Sequence, residues 1–148
     1  MRPLAIVDYG MGNLRSVQKA FARLGYAAEV TADAERIASA PGVVLPGVGA
    51  FGACMRNLTS RGLVEPVRHA IRSGRPFLGI CLGMQLLFEE SDEFGPVAGL
   101  GVFPGRIVRF APDPERKIPH MGWNTLRVVR RVAALASLAD GAYAYFVH

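Results

Sequence analysis

The stretch Phe77-Leu78-Gly79-Ile80-Cys81-Leu82-Gly83-Met84-Gln85 decides how the rest of the chain is read. Phe77 to Ile80 is a short apolar run with the pattern of a buried strand, and the spacing from Leu82 to Glu90 predicts a helix. Between them Gly79-Ile-Cys81-Leu-Gly83 has the form G-x-C-x-G, a nucleophile elbow with sulfur in place of oxygen. Such a bend is too tight for bulk two residues before or after the nucleophile, which accounts for both glycines. It presents the side chain at the carboxyl end of a parallel sheet. It also sets the sulfur at a helix N-terminus, whose partial positive charge favours thiolate.

The residues before this stretch repeat the strand-to-helix rhythm. Leu4 to Val7 reads as a buried strand, followed by a turn and a helix capped by Asn13. In that helix Leu14, Val17, Phe21 and Leu24 recur at helical spacing, and Gly25 stands where a C′ glycine belongs. Ala27 to Thr31 is a second strand, and Asp33 caps a brief helix to Ala40. Val43 to Leu45 is a third strand, cut off by Pro46, and residues 50–58 read as helix. Leu63, Val67, Ala70 and Ile71 mark a further amphipathic helix ended by Gly74. This alternation predicts an α/β fold: a mostly parallel open sheet with helices on both faces. Beyond Gly95 the pattern changes to short β-like pieces, among them Arg106 to Phe110 and Asn124 to Val129. Ala133 to Ala139 reads as a short helix and Tyr143 to Val147 as a strand.

At 148 residues, 51% hydrophobic and 20% charged, the chain has the content for one domain over 1–148 with a substantial core. Ile37 to Met55 carries no charge and approaches the ~20 residues of a membrane span. Pro41, Pro46 and the glycines there interrupt any spanning helix, so no membrane segment is expected. Two cysteines and no secretory leader point to a reducing cytoplasm. The net charge of +5 comes from scattered single arginines without interleaved aromatics, so no nucleic-acid partner is expected.

Cys81 is the candidate catalytic nucleophile. Cys54 falls among Phe51, Met55 and Leu58 on a helix and reads as a core residue. Pro46-Gly47-Val48-Gly49 follows the third strand, and its glycines free backbone N–H groups to face a ligand. Acyl transfer needs two donors aimed at the developing oxyanion. The Leu82 N–H, next after the nucleophile, is one candidate, and the loop near Val48 or Gly49 supplies the other. Gly10-Met11-Gly12 begins like a dinucleotide fingerprint, but Arg15 stands where the third glycine belongs, and nucleotide binding is rejected. His69, His120 and His148 lie far apart without ligand spacing, so no metal and no cofactor are expected.

The segment Gly79 to Phe88 resembles the nucleophile segment of class I, triad-type glutamine amidotransferases. With Asp8-Tyr-Gly-Met-Gly-Asn-Leu14, Pro46-Gly-Val-Gly-Ala-Phe51 and Pro119-His-Met-Gly-Trp-Asn124, the chain resembles the glutaminase subunits of imidazole glycerol phosphate synthase, from histidine biosynthesis. The resemblance implies a flavodoxin-like sheet and glutamine hydrolysis through a Cys81 thioester. It implies Val48, Gly49 and Leu82 in the oxyanion hole, and Gly47, Gln85 and Glu93 at the substrate. It also implies a heterodimer with a (β/α)8 cyclase, to which ammonia passes to make imidazole glycerol phosphate and AICAR. Asn13, Trp123 and Asn124 would lie at that partner, with a core aromatic as the other reading of Trp123. The family's catalytic His and Glu sit in a His-Pro-Glu motif that these residues do not contain. Relative to the family a C-terminal part is missing, and the chain alone is expected to be inactive. A catalytically silent barrel-binding subunit and an amidotransferase of another pathway are the alternatives.

Overall fold

A computed structural model describes residues 2–114 and 117–148. The chain falls into two compact units, Met1–Arg109 and Phe110–His148, each described by itself.

The first unit opens with β1 (Leu4–Val7), α1 (Leu14–Arg23), β2 (Ala28–Thr31), α2 (Ala34–Ser39) and β3 (Val43–Gly47). It continues with α3 (Phe51–Ser60), α4 (Val64–Arg72), β4 (Phe77–Cys81) and α5 (Leu82–Gln85). The four strands are all parallel, in the order β2-β1-β3-β4. The chain steps from β1 to β2 in one direction, then crosses back over β1 to β3 and on to β4. Right-handed crossovers in opposite directions put their helices on opposite faces, so α1 lies against one face and α2 to α4 against the other. Residue alternation agrees with this. Ala5, Val7, Val43 and Leu45 join Ile37, Phe51, Leu58, Leu63 and Val67 in the main core, while Ile6 and Val44 are buried on the opposite face. The expected α/β sheet is therefore present. Among the described residues no helix is long and apolar enough to cross a membrane.

The expected helix ends have identifiable causes. Asn13 Oδ1 accepts the Ser16 N–H at 3.4 Å, and Asp33 Oδ1 accepts the Glu35 and Arg36 N–H groups at 2.9 and 3.1 Å. Gly25 adopts φ 82°, as a C′ glycine does.

Around the elbow two boundaries differ from expectation. β3 does not stop at Leu45 but runs through Pro46 to Gly47, paired with Ile80 and Cys81. The β1–β3 ladder ends at Ile6↔Val44, so at Pro46 the strand is paired on one side only and tolerates a residue without an N–H. The helix expected from Leu82 to Glu90 ends at Gln85, and Phe88–Ser91 is a strand, β5. β5 pairs antiparallel with β6 (Val97–Ala98) and parallel with β7 (Phe103–Ile107). Across β5 and β7 the Phe88 and Phe103 rings lie 6.0 Å apart and Arg106 bridges Glu90 at 2.5 Å. An apolar run such as Leu86-Leu87-Phe88 fits either period, and here strand pairing prevails.

In the second unit β8 (Met121–Thr125) pairs antiparallel with β9 (Tyr143–Val147). The piece expected at Asn124 to Val129 is thus shifted toward the N-terminus, as is that expected at Arg106 to Phe110, which is β7 of the first unit, and the helix expected at Ala133 to Ala139 is a 3-10 turn, Ala133–Leu135.

Candidate active site

Cys81 ends β4 and begins α5, with φ 54° and ψ −119°. It is one of two non-glycine residues at positive φ among the described residues. A side chain rarely adopts that backbone, and it is held here by close packing on both sides. A Cβ at Gly79 would meet Met84 Cα at 2.6 Å, and one at Gly83 would run into the Leu45 carbonyl. The two glycines required by the elbow are thus crowded by backbone. Leu82 and Leu86 anchor α5 in the core, and the Cys81 side chain remains exposed. α5 is a single turn, so less of a helix macrodipole stands behind the sulfur than the longer expected helix would supply.

The register Gly47↔Cys81 brings the Pro46–Gly49 loop beside the elbow. A Cβ at Gly47 would sit 2.5 Å from Gly83 N and 2.9 Å from Leu82 C, so only glycine lets the two turns touch. The Val43 N–H donates to the Pro76 carbonyl at 2.9 Å, and residues at alternate positions direct their backbone groups to the same neighbour. Gly47 therefore faces β4, with its carbonyl directed toward Leu82. Beyond it, Val48 and Gly49 are exposed, Gly49 at φ 88°.

The inner side of this loop is tied to the core. Where the β1–β3 ladder stops, the Tyr9 hydroxyl donates to the Pro46 carbonyl at 2.7 Å and lies 3.6 Å from Cys54 Sγ. Cys54 Sγ in turn donates to the Val48 carbonyl at 3.4 Å. Both side chains are fully buried. Burial pushes the Cys54 thiol up from its ordinary value and drives the Tyr9 phenol far higher, so both stay protonated as donors. The two cysteines thus separate as expected, Cys54 in the core and Cys81 at the surface. The turn after β1 borders the same loop: a Cβ at Gly12 would lie 3.1 Å from Pro46 Cβ, and one at Gly49 the same distance from Met11 Cε.

Glu93 is also occupied structurally. Its Oε2 accepts the Phe51 N–H at 2.6 Å, capping α3, whose N-cap residue Ala50 has no side-chain acceptor to offer. Gln85 lies half-buried at the end of α5, one turn after Cys81. Asn13 is exposed and caps α1. In the second unit Trp123 is 70% exposed and is buried in no core of that unit. Its ring stacks edge-on with Tyr145 at 5.5 Å. Asn124 points to the other face of the hairpin, and its Oδ1 accepts the Thr125 N–H at 2.8 Å. His120 and His148 pair there through ring nitrogens 3.0 Å apart, while His69 is exposed on α4.

The sequence reading missed Tyr9 and the capping role of Glu93. Tyr9 follows Ala5 and Val7 at a spacing of two, so its inward direction was legible, but its partners were not.

A glycine-bracketed exposed cysteine at the carboxyl end of a parallel sheet, beside a glycine loop, is the arrangement that acyl transfer from an amide requires. The family model described as "Glutamine amidotransferase class-I" matches residues 5–148. The chain belongs to the class I glutamine amidotransferase family. Among curated members it is similar to "Imidazole glycerol phosphate synthase subunit HisH" of Geobacter sulfurreducens, 56% identical over all of this chain and 73% of that protein. The subunit of the same name from Moorella thermoacetica is 55% identical over all of this chain and 70% of that one. A solved structure titled "Crystal structure of glutamine amidotransferase" superposes with a TM-score of 0.71 over 97% of this amidotransferase chain and 70% of its own, at 19% identity. That likeness bears on the fold.

Proposed function

We propose that the chain is the glutaminase subunit of an imidazole glycerol phosphate synthase and acts in histidine biosynthesis. The observation that carries the chemistry is the strained, exposed Cys81 beside the Pro46–Gly49 loop. The relatives named HisH carry the pathway.

In this reading the Cys81 sulfur attacks the side-chain amide carbon of glutamine. The C–N bond breaks, ammonia leaves, and a glutamyl thioester remains on sulfur. Water then cleaves the thioester to glutamate and returns the thiol. The oxyanion of each tetrahedral intermediate takes the Leu82 N–H, in competition with the Gly47 carbonyl, together with an N–H of the loop at Val48 or Gly49. Gly47 gives the substrate close access to backbone, and Gln85 hydrogen-bonds the bound glutamine. Glu93 lies at the start of α3 and contributes negative charge toward the substrate's amino group. Protons for the leaving ammonia and from the incoming water belong, in the resemblance stated above, to the His and Glu of a His-Pro-Glu motif. A missing general acid–base partner costs on the order of 10²–10⁴-fold in rate. Ammonia passes to a (β/α)8 cyclase bound as a heterodimer, for which Trp123, Asn124 and Asn13 are each candidate contact residues.

The test uses the protein assembled with its cyclase. Cys81→Ala lowers glutamine-dependent synthesis by on the order of 10³-fold or more and leaves synthesis from free ammonia unchanged. An electrophilic diazoketone analogue of glutamine labels Cys81 in the parent protein. Undiminished synthesis from glutamine in the variant overturns the reading. Binding to the cyclase without any glutaminase activity favours the catalytically silent subunit.

A further inference from the structure

Cys54 and Tyr9 are buried groups with no part in the steps just described, yet both bond to the loop that the reaction uses. The Tyr9 hydroxyl holds the Pro46 carbonyl at 2.7 Å and the Cys54 thiol holds the Val48 carbonyl at 3.4 Å, with 3.6 Å between hydroxyl and sulfur. These two hydrogen bonds, with the hydroxyl–sulfur contact between their donors, join the turn after β1, the end of β3 and α3 under one surface loop. We propose that the Tyr9 hydroxyl and the Cys54 thiol are positioning residues for the oxyanion loop, fixing the direction of its N–H groups from below.

The peptide unit is planar and trans, so its carbonyl and its N–H point in opposite directions. The Val48 carbonyl is drawn inward to Cys54, which turns the Gly49 N–H toward the exposed side of the loop. Gly47 is held by its pairing with Cys81, but beyond the strand Gly49, at φ 88°, gives the backbone little resistance of its own to rotation. Orientation therefore has to come from bonds on the core side, and the carbonyls of residues 46 and 48 flank the one peptide between them. Neither donor is exchanged for water, because both side chains are fully buried. Donors aimed in advance at a developing charge lower the barrier to the chemical step and leave ground-state binding nearly unchanged. A loop free to rotate keeps its affinity for glutamine and loses rate.

The catalytic part of this inference rests on the glutaminase reading, and the brace itself does not. Two variants address it: Tyr9→Phe, which keeps the ring and removes the hydroxyl, and Cys54→Ala, with Cys54→Ser as the conservative replacement that restores a donor. In the assembled enzyme Tyr9→Phe and Cys54→Ala each lower kcat for glutamine by about tenfold with KM within a factor of two, and Cys54→Ser recovers most of the loss. Alkylation of Cys81 by iodoacetamide, which forms no oxyanion, keeps its rate. Amide hydrogen exchange at Val48 and Gly49 becomes at least about tenfold faster in Tyr9→Phe and Cys54→Ala, and Cys54→Ser returns it toward the parent rate. Unchanged exchange at those amides overturns the proposal whatever the substrate. Faster exchange with kcat unchanged in a glutamine-hydrolysing parent also overturns it, since the bonds would then serve stability alone. A parent protein without glutaminase activity defeats the reading above instead, and the exchange measurement still decides the brace.

Discussion

At Cys81 the backbone angles φ 54° and ψ −119° suit glycine and no side chain. A residue held there stores on the order of 1–3 kcal/mol, kept in place by surrounding packing. Here that packing is the contact of Gly47, Gly79 and Gly83 with neighbouring backbone. Cys81→Ala retains the Cβ and the strain, whereas Cys81→Gly releases it at an entropic cost of about 0.5–1 kcal/mol. The glycine variant is therefore expected to be more stable than the alanine variant by about 1–2 kcal/mol in urea unfolding. Equal midpoints would mean that the elbow is unstrained. The geometry was legible because its cause is local: two glycines bracket one residue over five positions. Glu93 shows the opposite case. Its bond to the Phe51 N–H joins segments far apart in the chain, and nothing near Glu93 in the sequence names an acceptor-poor helix start as its partner.

Elements were legible where their ends carry side-chain chemistry. α2 illustrates this, since Asp33 satisfies two of its first amide groups. Asp33→Ala is expected to cost about 1 kcal/mol of stability, read as a shift in the urea midpoint with the slope unchanged. A loss of a few tenths or less would place the helix start under tertiary control. Where no cap or breaker stands, tertiary pairing set the boundary. The apolar run from Leu86 to Phe88 continues a helix on paper, but Glu90 and Ser91 find partners in β6 and β7 and the chain extends. Pro46 reads as a strand terminator by its missing N–H alone. That the β1 pairing has stopped two residues earlier, at Val44, and that Tyr9 takes up the Pro46 carbonyl, are facts of the assembled sheet.

Two properties belong to the folded chain as a whole. The first is a dependence of stability on pH. Burial raises the folded-state values of both Cys54 and Tyr9 above their unfolded ones, so the native chain holds protons that the unfolded chain releases. Their contribution is fully present below about pH 8.5, where the unfolded thiol is protonated, and is lost as pH rises beyond it. The loss steepens above about pH 10, where the unfolded phenol also ionises. Thermal unfolding between pH 7 and 10.5 should show a falling Tm on the alkaline side, and the double variant Tyr9→Phe/Cys54→Ala should flatten that fall. The second property is a surface. In the hairpin of the second unit, Met121 pairs with Val147 and Trp123 with Tyr145, and Tyr143 pairs with Thr125 on the same face. Met121, Trp123, Tyr143, Tyr145 and Val147 are all more than half exposed. A contiguous apolar face of this kind suits the docking of another molecule, and aromatic side chains dominate binding at such faces. On the proposed reading that molecule is the (β/α)8 cyclase. Trp123→Ala is then expected to weaken the heterodimer by about 10–100-fold in Kd, measured by titration calorimetry. Asn124→Ala, on the opposite face of the same strand, should change Kd far less unless the cyclase reaches both faces. The circular dichroism spectrum should be unchanged, because the Trp123 ring contributes to no core. If Kd is unchanged in Trp123→Ala while the cyclase still binds, the docking surface lies elsewhere on the chain.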